Sequence, residues 1–221
     1  MGIINNVQKE ILAAFATVLD SKNFYLTGET ALAYFYLHHR KSNDLDFFTA
    51  DEAIILPFSY QLEQALMAQK IKVQRHRAIH SFVELLVDHK GETTIIHLAY
   101  DAVFRFEDTR GFPEYPGLRV DNLTDIAVNK LLALFGRATL RDFIDVYFLI
   151  KEAGFTPNGL MEKAKIKDPG FDLYWLAIAL ERINTFEEGS SENLLLIKPV
   201  NFKEIVSFFN QWRKDITKQL I

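Results

Sequence analysis

The chain has 221 residues, 49% hydrophobic and 24% charged, the balance of a globular protein long enough to bury a core. Its net charge of -4 argues against a protein that coats nucleic acid non-specifically, because that mode depends on many basic side chains meeting phosphates. The absence of cysteine excludes disulfides, thiolate zinc sites and cysteine nucleophiles, so any metal must sit on oxygen or imidazole.

No stretch approaches the roughly 18 to 20 apolar residues of a membrane span. The N-terminus also lacks a basic segment followed by an apolar signal core. The expected setting is cytoplasmic, without a membrane partner.

Asn5 or Asn6 can cap a first helix, in which Val7, Ile11, Leu12, Phe15, Val18 and Leu19 recur at helical spacing. A short strand at 24–27 stops at Gly28, and a helix is expected over 30–37. The basic cluster His38, His39, Arg40 and Lys41 follows. Like the run Arg75, His76 and Arg77, it reads as solvated surface or a local basic patch.

Residues 44–48 read as a strand with Asp44 and Asp46 on one face and Leu45 and Phe47 on the other. A helix is predicted over 62–70, then strands at 71–77, 82–88 and 93–100, with a turn at 89–92 joining the last two. From about residue 121 the pattern becomes helical, with segments at 123–136, 140–153, 160–165, 174–183 and 202–220. The expected class is α+β: a small mixed sheet flanked by helices, then a C-terminal helical bundle. The boundary divides a core at 1–120 from a helical domain at 121–221 that would complete the nucleotide cleft.

Three features carry chemistry. Gly28 stands where a strand gives way to a helix, a point at which backbone N–H groups and the helix dipole can meet an anion; a simple turn glycine explains it as well. Asp44 and Asp46 would set two like charges side by side in an apolar strand, an arrangement that suits a hard divalent cation. On the helix 123–136, Leu123, Ala127, Lys130, Leu134 and Arg137 share a face. Lys130 therefore needs a nearby anion or must snorkel to solvent. Asp142 and Asp145, one turn apart on the next helix, suit a structural ion pair with Lys130 or Arg137, or a catalytic base.

These segments resemble the AbiEii/AbiGii-type nucleotidyltransferase toxins, a branch of the DNA polymerase β-like nucleotidyltransferase superfamily. The resemblance covers about residues 24–151. It rests on Leu26-Thr27-Gly28-Glu29-Thr30-Ala31-Leu32, on the run from His39 to Phe48, and on Asp125-Ile126-Ala127 with Lys130, Arg137 and Arg141-Asp142-Phe143-Ile144-Asp145-Val146.

The resemblance implies an NTP held at Gly28, Glu29, Thr30, Ser42, Lys130 and Arg137. It implies Mg²⁺ or Mn²⁺ on Asp44 and Asp46, with His97 at the third ligand position, and catalysis by Asp44, Asp46, Lys130 and Asp142 or Asp145. The implied reaction moves a nucleoside monophosphate from the NTP to a hydroxyl of tRNA or protein, and the implied partner is a cognate antitoxin.

Two positions depart from the family's pattern. Glu29 stands where a second small residue is usual, and His97 where a third carboxylate is expected. Imidazole suits Mn²⁺ better than Mg²⁺, and can instead be a general base or a hydrogen-bonded core residue. Asp101, Asp88 and Glu84 are the candidates for the missing acid. The same two departures support an alternative: a catalytically degenerate relative that binds nucleotide, RNA or a partner protein.

Overall fold

The computed structural model describes residues 2–101, 104–189 and 195–220. The chain forms two compact units: Met1–Tyr36 with Lys41–Leu123, and Leu37–Arg40 with Thr124–Ile221.

The first unit opens with α1 (Asn6–Phe15), begun by a reciprocal capping box between Asn5 and Gln8. Strand β1 (Tyr25–Thr27) runs into a helical turn, α2 (Gly28–Thr30), that continues π-wound through Ala31–Leu37. Strand β2 (Asp44–Thr49) and helix α3 (Ile55–Ala68) follow. This helix begins well before the predicted 62–70. Pro57 suggests a break there, but it falls in the first turn, where its missing N–H has no intrahelical acceptor to lose.

Strands β3 (Lys72–Ile79), β4 (Phe82–His89) and β5 (Glu92–Tyr100) form a meander. Lys90 and Gly91 form the two-residue turn between β4 and β5, and both have positive φ, matching the hairpin twist. Two short strands that sequence patterning did not reveal, β6 (Arg110–Gly111) and β7 (Arg119–Val120), finish the sheet. A pair of two-residue strands is too short to show alternation.

Among the described residues the strands form one mixed sheet in the order β3-β4-β5-β2-β1-β7-β6. The β2–β5 and β1–β7 pairs are parallel; the others are antiparallel. One face is apolar: Leu45, Phe47, Val83, Leu85, Val87, Ile96 and Leu98 are buried along with the inward residues of α1 and α3. Phe15 stacks on Phe47 with ring centres 3.7 Å apart, and Phe24 and Phe58 extend that aromatic cluster. The opposite face carries the half-buried positions of β2, β4 and β5, Asp44, Asp46, Glu84 and His97 among them.

The second unit contains α4 (Leu123–Arg137, from Thr124 onward), α5 (Leu140–Glu152), α6 (Pro157–Lys167), α7 (Leu173–Glu181) and α8 (Phe202–Gln219). Phe143 of α5 packs edge-on against Phe209 of α8, which stacks on Trp212. No helix among the described residues is long and apolar enough to cross a membrane.

Candidate functional site

Strand parity puts Asp44 and Asp46 on the half-buried polar face of β2, while Leu45 and Phe47 are fully buried behind them. Gly28 has a φ of +71°, the left-handed region that favours glycine. A Cβ built there would lie 2.4 Å from Asp46 Oδ2. The Asp46 carboxylate therefore rests directly against the bare backbone of the strand-to-helix turn.

Neighbouring groups pin this turn to β2. The Thr30 hydroxyl is fully buried, lies 2.7 Å from Ser42 Oγ and contacts the backbone oxygen of Asp44. Ser42 is buried too. The side chains of Thr30 and Ser42, expected at the nucleotide, thus clasp the Gly28 turn to the aspartate strand. Glu29 is half-buried in the first turn of the helix. On the other side of β1, the Thr27 hydroxyl donates to buried Asp121, which also binds Arg105.

His97 is opposite Asp46 in the parallel β2–β5 pair, and Glu84 is opposite His97 in the next. The ring lies between them, Nδ1 2.8 Å from Asp46 Oδ1 and Nε2 3.2 Å from Glu84 Oε2. Glu84 in turn contacts His76 Nδ1 from the edge strand. The hydrogen bond to Asp46 raises the His97 imidazole above its ordinary value, against the effect of burial, and Asp46, Glu84 and Asp44 all add to the rise. The His76 contact lowers the Glu84 carboxyl.

Each ring nitrogen faces a carboxylate oxygen, so in this arrangement neither is turned to a metal or free for proton abstraction. The ring meets the charge of Asp46 directly. Of the candidates for the missing acid, Glu84 is the one in contact with His97; Asp101 accepts from Tyr25, and Asp88 is exposed. Strand parity admitted Glu84, but only the cross-strand register could select it.

Among the described residues no three His, Asp or Glu side chains converge in a metal-holding cluster. The pair Asp44 and Asp46 nonetheless fits Mg²⁺, which is usually held by one or two carboxylates with water and substrate phosphate completing its shell. Oxygen donors beside a backbone cradle suit that chemistry, whereas the His97 imidazole does not.

In the second unit, Lys130 is buried and its Nζ lies 2.6 Å from Asp145 Oδ2. The anion required by its place in an apolar stripe includes Asp145. Arg40 grips the same carboxylate with two hydrogen bonds, and His39 Nε2 lies 2.7 Å from Oδ1. Burial alone would raise the Asp145 carboxyl, but Lys130 and Arg40 outweigh it and hold the group well below the usual range. Burial lowers the His39 imidazole despite its bond to Asp145, so the ring is neutral and donates from Nε2.

This corrects the expectation for the His38–Lys41 run, since His39 and Arg40 are buried and their charge is turned inward. The signal for it was Asp145 itself, an acid placed among Phe143, Ile144 and Val146 on an apolar helix. Asp142 is also buried. It accepts from Arg137 at 2.7 and 2.9 Å and from Thr139 in the capping box that starts α5. Burial tends to raise Asp142, but these hydrogen bonds win and lower it. Asp142 is thus engaged as a helix cap and Arg137 as its partner.

The model of the family described as "Nucleotidyl transferase AbiEii toxin, Type IV TA system" matches residues 10–218. The uncharacterized protein aq_aa25 of Aquifex aeolicus (strain VF5) is 29% identical over 223 residues, covering 97% of this chain and 98% of that protein. Among solved structures, JHP933 from Helicobacter pylori superposes with a TM-score of 0.60 at 20% identity, over 97% of this chain and 90% of that one. MenT4, a nucleotidyltransferase toxin from Mycobacterium tuberculosis H37Rv, gives a TM-score of 0.60 at 19% identity, over 95% and 82% of the two chains. The structural likenesses establish the nucleotidyltransferase fold, and the family match over nearly the whole length shows that this chain belongs to the AbiEii nucleotidyltransferase toxin family.

Proposed function

We propose that the protein transfers a nucleoside monophosphate from an NTP to a hydroxyl of tRNA or protein, as a toxin restrained by a cognate antitoxin. The observation that carries this reading is the Asp46 carboxylate resting against the left-handed Gly28 turn, with Asp44 on the same sheet face. The bare backbone at Gly28 lets the Asp46 carboxylate sit against the start of the helix, where a phosphate chain would meet the N–H groups.

Asp44 and Asp46 would hold Mg²⁺ or Mn²⁺, which when bound neutralises charge on the phosphoryl group and on the departing pyrophosphate. Thr30 and Ser42 keep the turn and the aspartates in fixed relation, and His97 compensates the charge of Asp46. In the reaction the acceptor oxygen bonds to the α-phosphorus as its bond to the pyrophosphate oxygen breaks, and the hydroxyl proton passes to water. Such chemistry depends mainly on positioning and electrostatics.

A second reading has one observation in its favour. The imidazole bridging Asp46 and Glu84 occupies the third-carboxylate position, which suits a relative that binds nucleotide without transferring it. Incubation with each labelled NTP, divalent metal, and total tRNA or cell protein separates the two. Labelling by the wild-type protein that Asp46→Asn abolishes supports transfer; equal labelling by both proteins, or none by either, sinks it.

A further inference from the structure

The two oxygens of Asp46 have different surroundings. Oδ2 lies against the Gly28 turn, where a Cβ would come within 2.4 Å of it, and Oδ1 lies 2.8 Å from His97 Nδ1 of the neighbouring strand. The imidazole therefore occupies one oxygen and leaves the other at the turn.

The ring is itself held. Thr27, Asp46, His97 and Glu84 stand opposite one another in successive strands. Glu84 Oε2 lies 3.2 Å from His97 Nε2, and the Phe82 ring packs on the imidazole with centres 5.5 Å apart. Glu84 is gripped in turn from the edge strand. The pairing of β3 with β4 slips by one residue at His76, so Arg75 is opposite Leu85 while Arg77 is opposite Glu84. Such a bulge sets two residues against one and re-aims a side chain, and here His76 Nδ1 contacts Glu84 Oε1. A ladder of His76, Glu84, His97 and Asp46 thus crosses four strands and ends at the candidate site.

We propose that Glu84 is a positioning residue: by fixing the His97 ring it keeps Oδ1 of Asp46 occupied, so that this aspartate offers a cation only Oδ2, at the Gly28 turn. The inference rests on the transferase reading for the cation alone. Ligating carboxylates are commonly oriented by such outer partners. The direction of the effect separates this role from a plain electrostatic one. Losing a nearby negative charge weakens cation binding. Losing the residue that steadies the ring releases Oδ1 and strengthens it.

The test uses the full chain and two readouts, nitrogen NMR of the His97 imidazole and calorimetric titration with Mn²⁺ alone. Glu84→Ala should shift the ring nitrogens, speed exchange of the Nδ1 proton with water, and tighten Mn²⁺ binding several-fold. Glu84→Gln keeps a hydrogen-bonding group for Nε2 and should stay close to wild type in both readouts. Asp88→Ala removes a carboxylate from the same strand without touching the ladder, and should not tighten Mn²⁺ binding. In a His97→Asn background Glu84→Ala should add nothing, because both act through one ring. Circular dichroism checks that each variant is folded. Glu84 is half-buried, and Glu84→Thr, which suits a strand and is too short to reach the ring, replaces Glu84→Ala if that variant unfolds.

Unchanged ring signals in folded Glu84→Ala, Mn²⁺ binding that weakens or stays the same in it, tightening by Asp88→Ala, or additive effects with His97→Asn would each overturn the positioning role. The two readings fail separately. Nucleotide transfer by the wild-type protein, with no ring or Mn²⁺ response in Glu84→Ala, defeats the positioning role alone. The expected responses in a protein that labels no acceptor defeat the transferase reading alone. If no protein binds Mn²⁺, the metal assignment of the aspartates fails and the ring signals decide the role of Glu84.

Discussion

Arg40 holds Asp145 in a fork, its Nε 2.7 Å from Oδ1 and its Nη2 2.8 Å from Oδ2, with both side chains buried. Lys130 lies against the same carboxylate. One acid therefore serves two permanent cations, so losing the carboxylate removes a buried partner from both at once.

Asp145→Asn should destabilise the protein by about 3–5 kcal/mol, the usual result of breaking a buried ion pair from one side, and Arg40→Ala by less, because Lys130 still faces the carboxylate. Arg40→Lys keeps the charge but loses the fork, and should recover only part of that stability. Urea denaturation gives the answer; a midpoint unchanged in Asp145→Asn would mean that the cluster contributes nothing to stability.

The same cluster sets an acid limit. The Asp145 and Asp142 carboxyls are lower in the folded protein than their ordinary value, so the stability they contribute is complete above the unfolded pKa. It declines as pH falls below about 4 and through the folded values. Thermal melts from pH 2 to 7 should show wild-type Tm dropping on the acid side. Asp145→Asn should start lower and drop less; a parallel drop would refute the assignment.

Gly28→Ala would place a methyl group against Asp46 Oδ2 in a left-handed backbone. The strain alone costs about 1–2 kcal/mol. Displacing the aspartate should reduce nucleotide transfer by about 100-fold, the scale expected of a misplacement of about 1 Å. A stable, fully active Gly28→Ala protein would rule out a phosphate at this turn.

His97→Asn separates two roles for the imidazole. Hydrogen-bonded to Asp46 Oδ1, the ring competes with a metal ion for that carboxylate, so its removal should tighten Mn²⁺ binding several-fold in a calorimetric titration. Weaker Mn²⁺ binding by the variant would instead make His97 a ligand at the position where the family's pattern has a third carboxylate.

What could be read from the sequence was local. Parity alone put Asp44 and Asp46 on one face, and the stripe around Lys130 demanded an anion, because both follow from the repeat of a single element. The fold class followed from the order of those elements. Asp145 stood among the partners expected for Lys130, but the Asp145–Arg40 and His97–Glu84 contacts did not follow, since they join residues distant in sequence through helix packing and strand register. Charge misled at His39 and Arg40, where hydrophilic composition suggested surface and a buried carboxylate drew both inward. Thr30 and Ser42 were expected at the nucleotide; their place as the clasp between the turn and the strand could not be read.

Residues 37–40 lie between the Gly28 helix and the aspartate strand in sequence, yet they belong to the helical unit. The backbone thus leaves the sheet unit, delivers His39 and Arg40 to Asp145, and returns before Asp44. Neither unit is an uninterrupted stretch of chain. A cut at the apparent boundary near residue 120 would give a helical fragment lacking the guanidinium that neutralises its buried acid. The two halves are therefore not interchangeable cassettes: a helical half transplanted from a relative would arrive without its own arginine and must accept the one already threaded into the host's sheet segment.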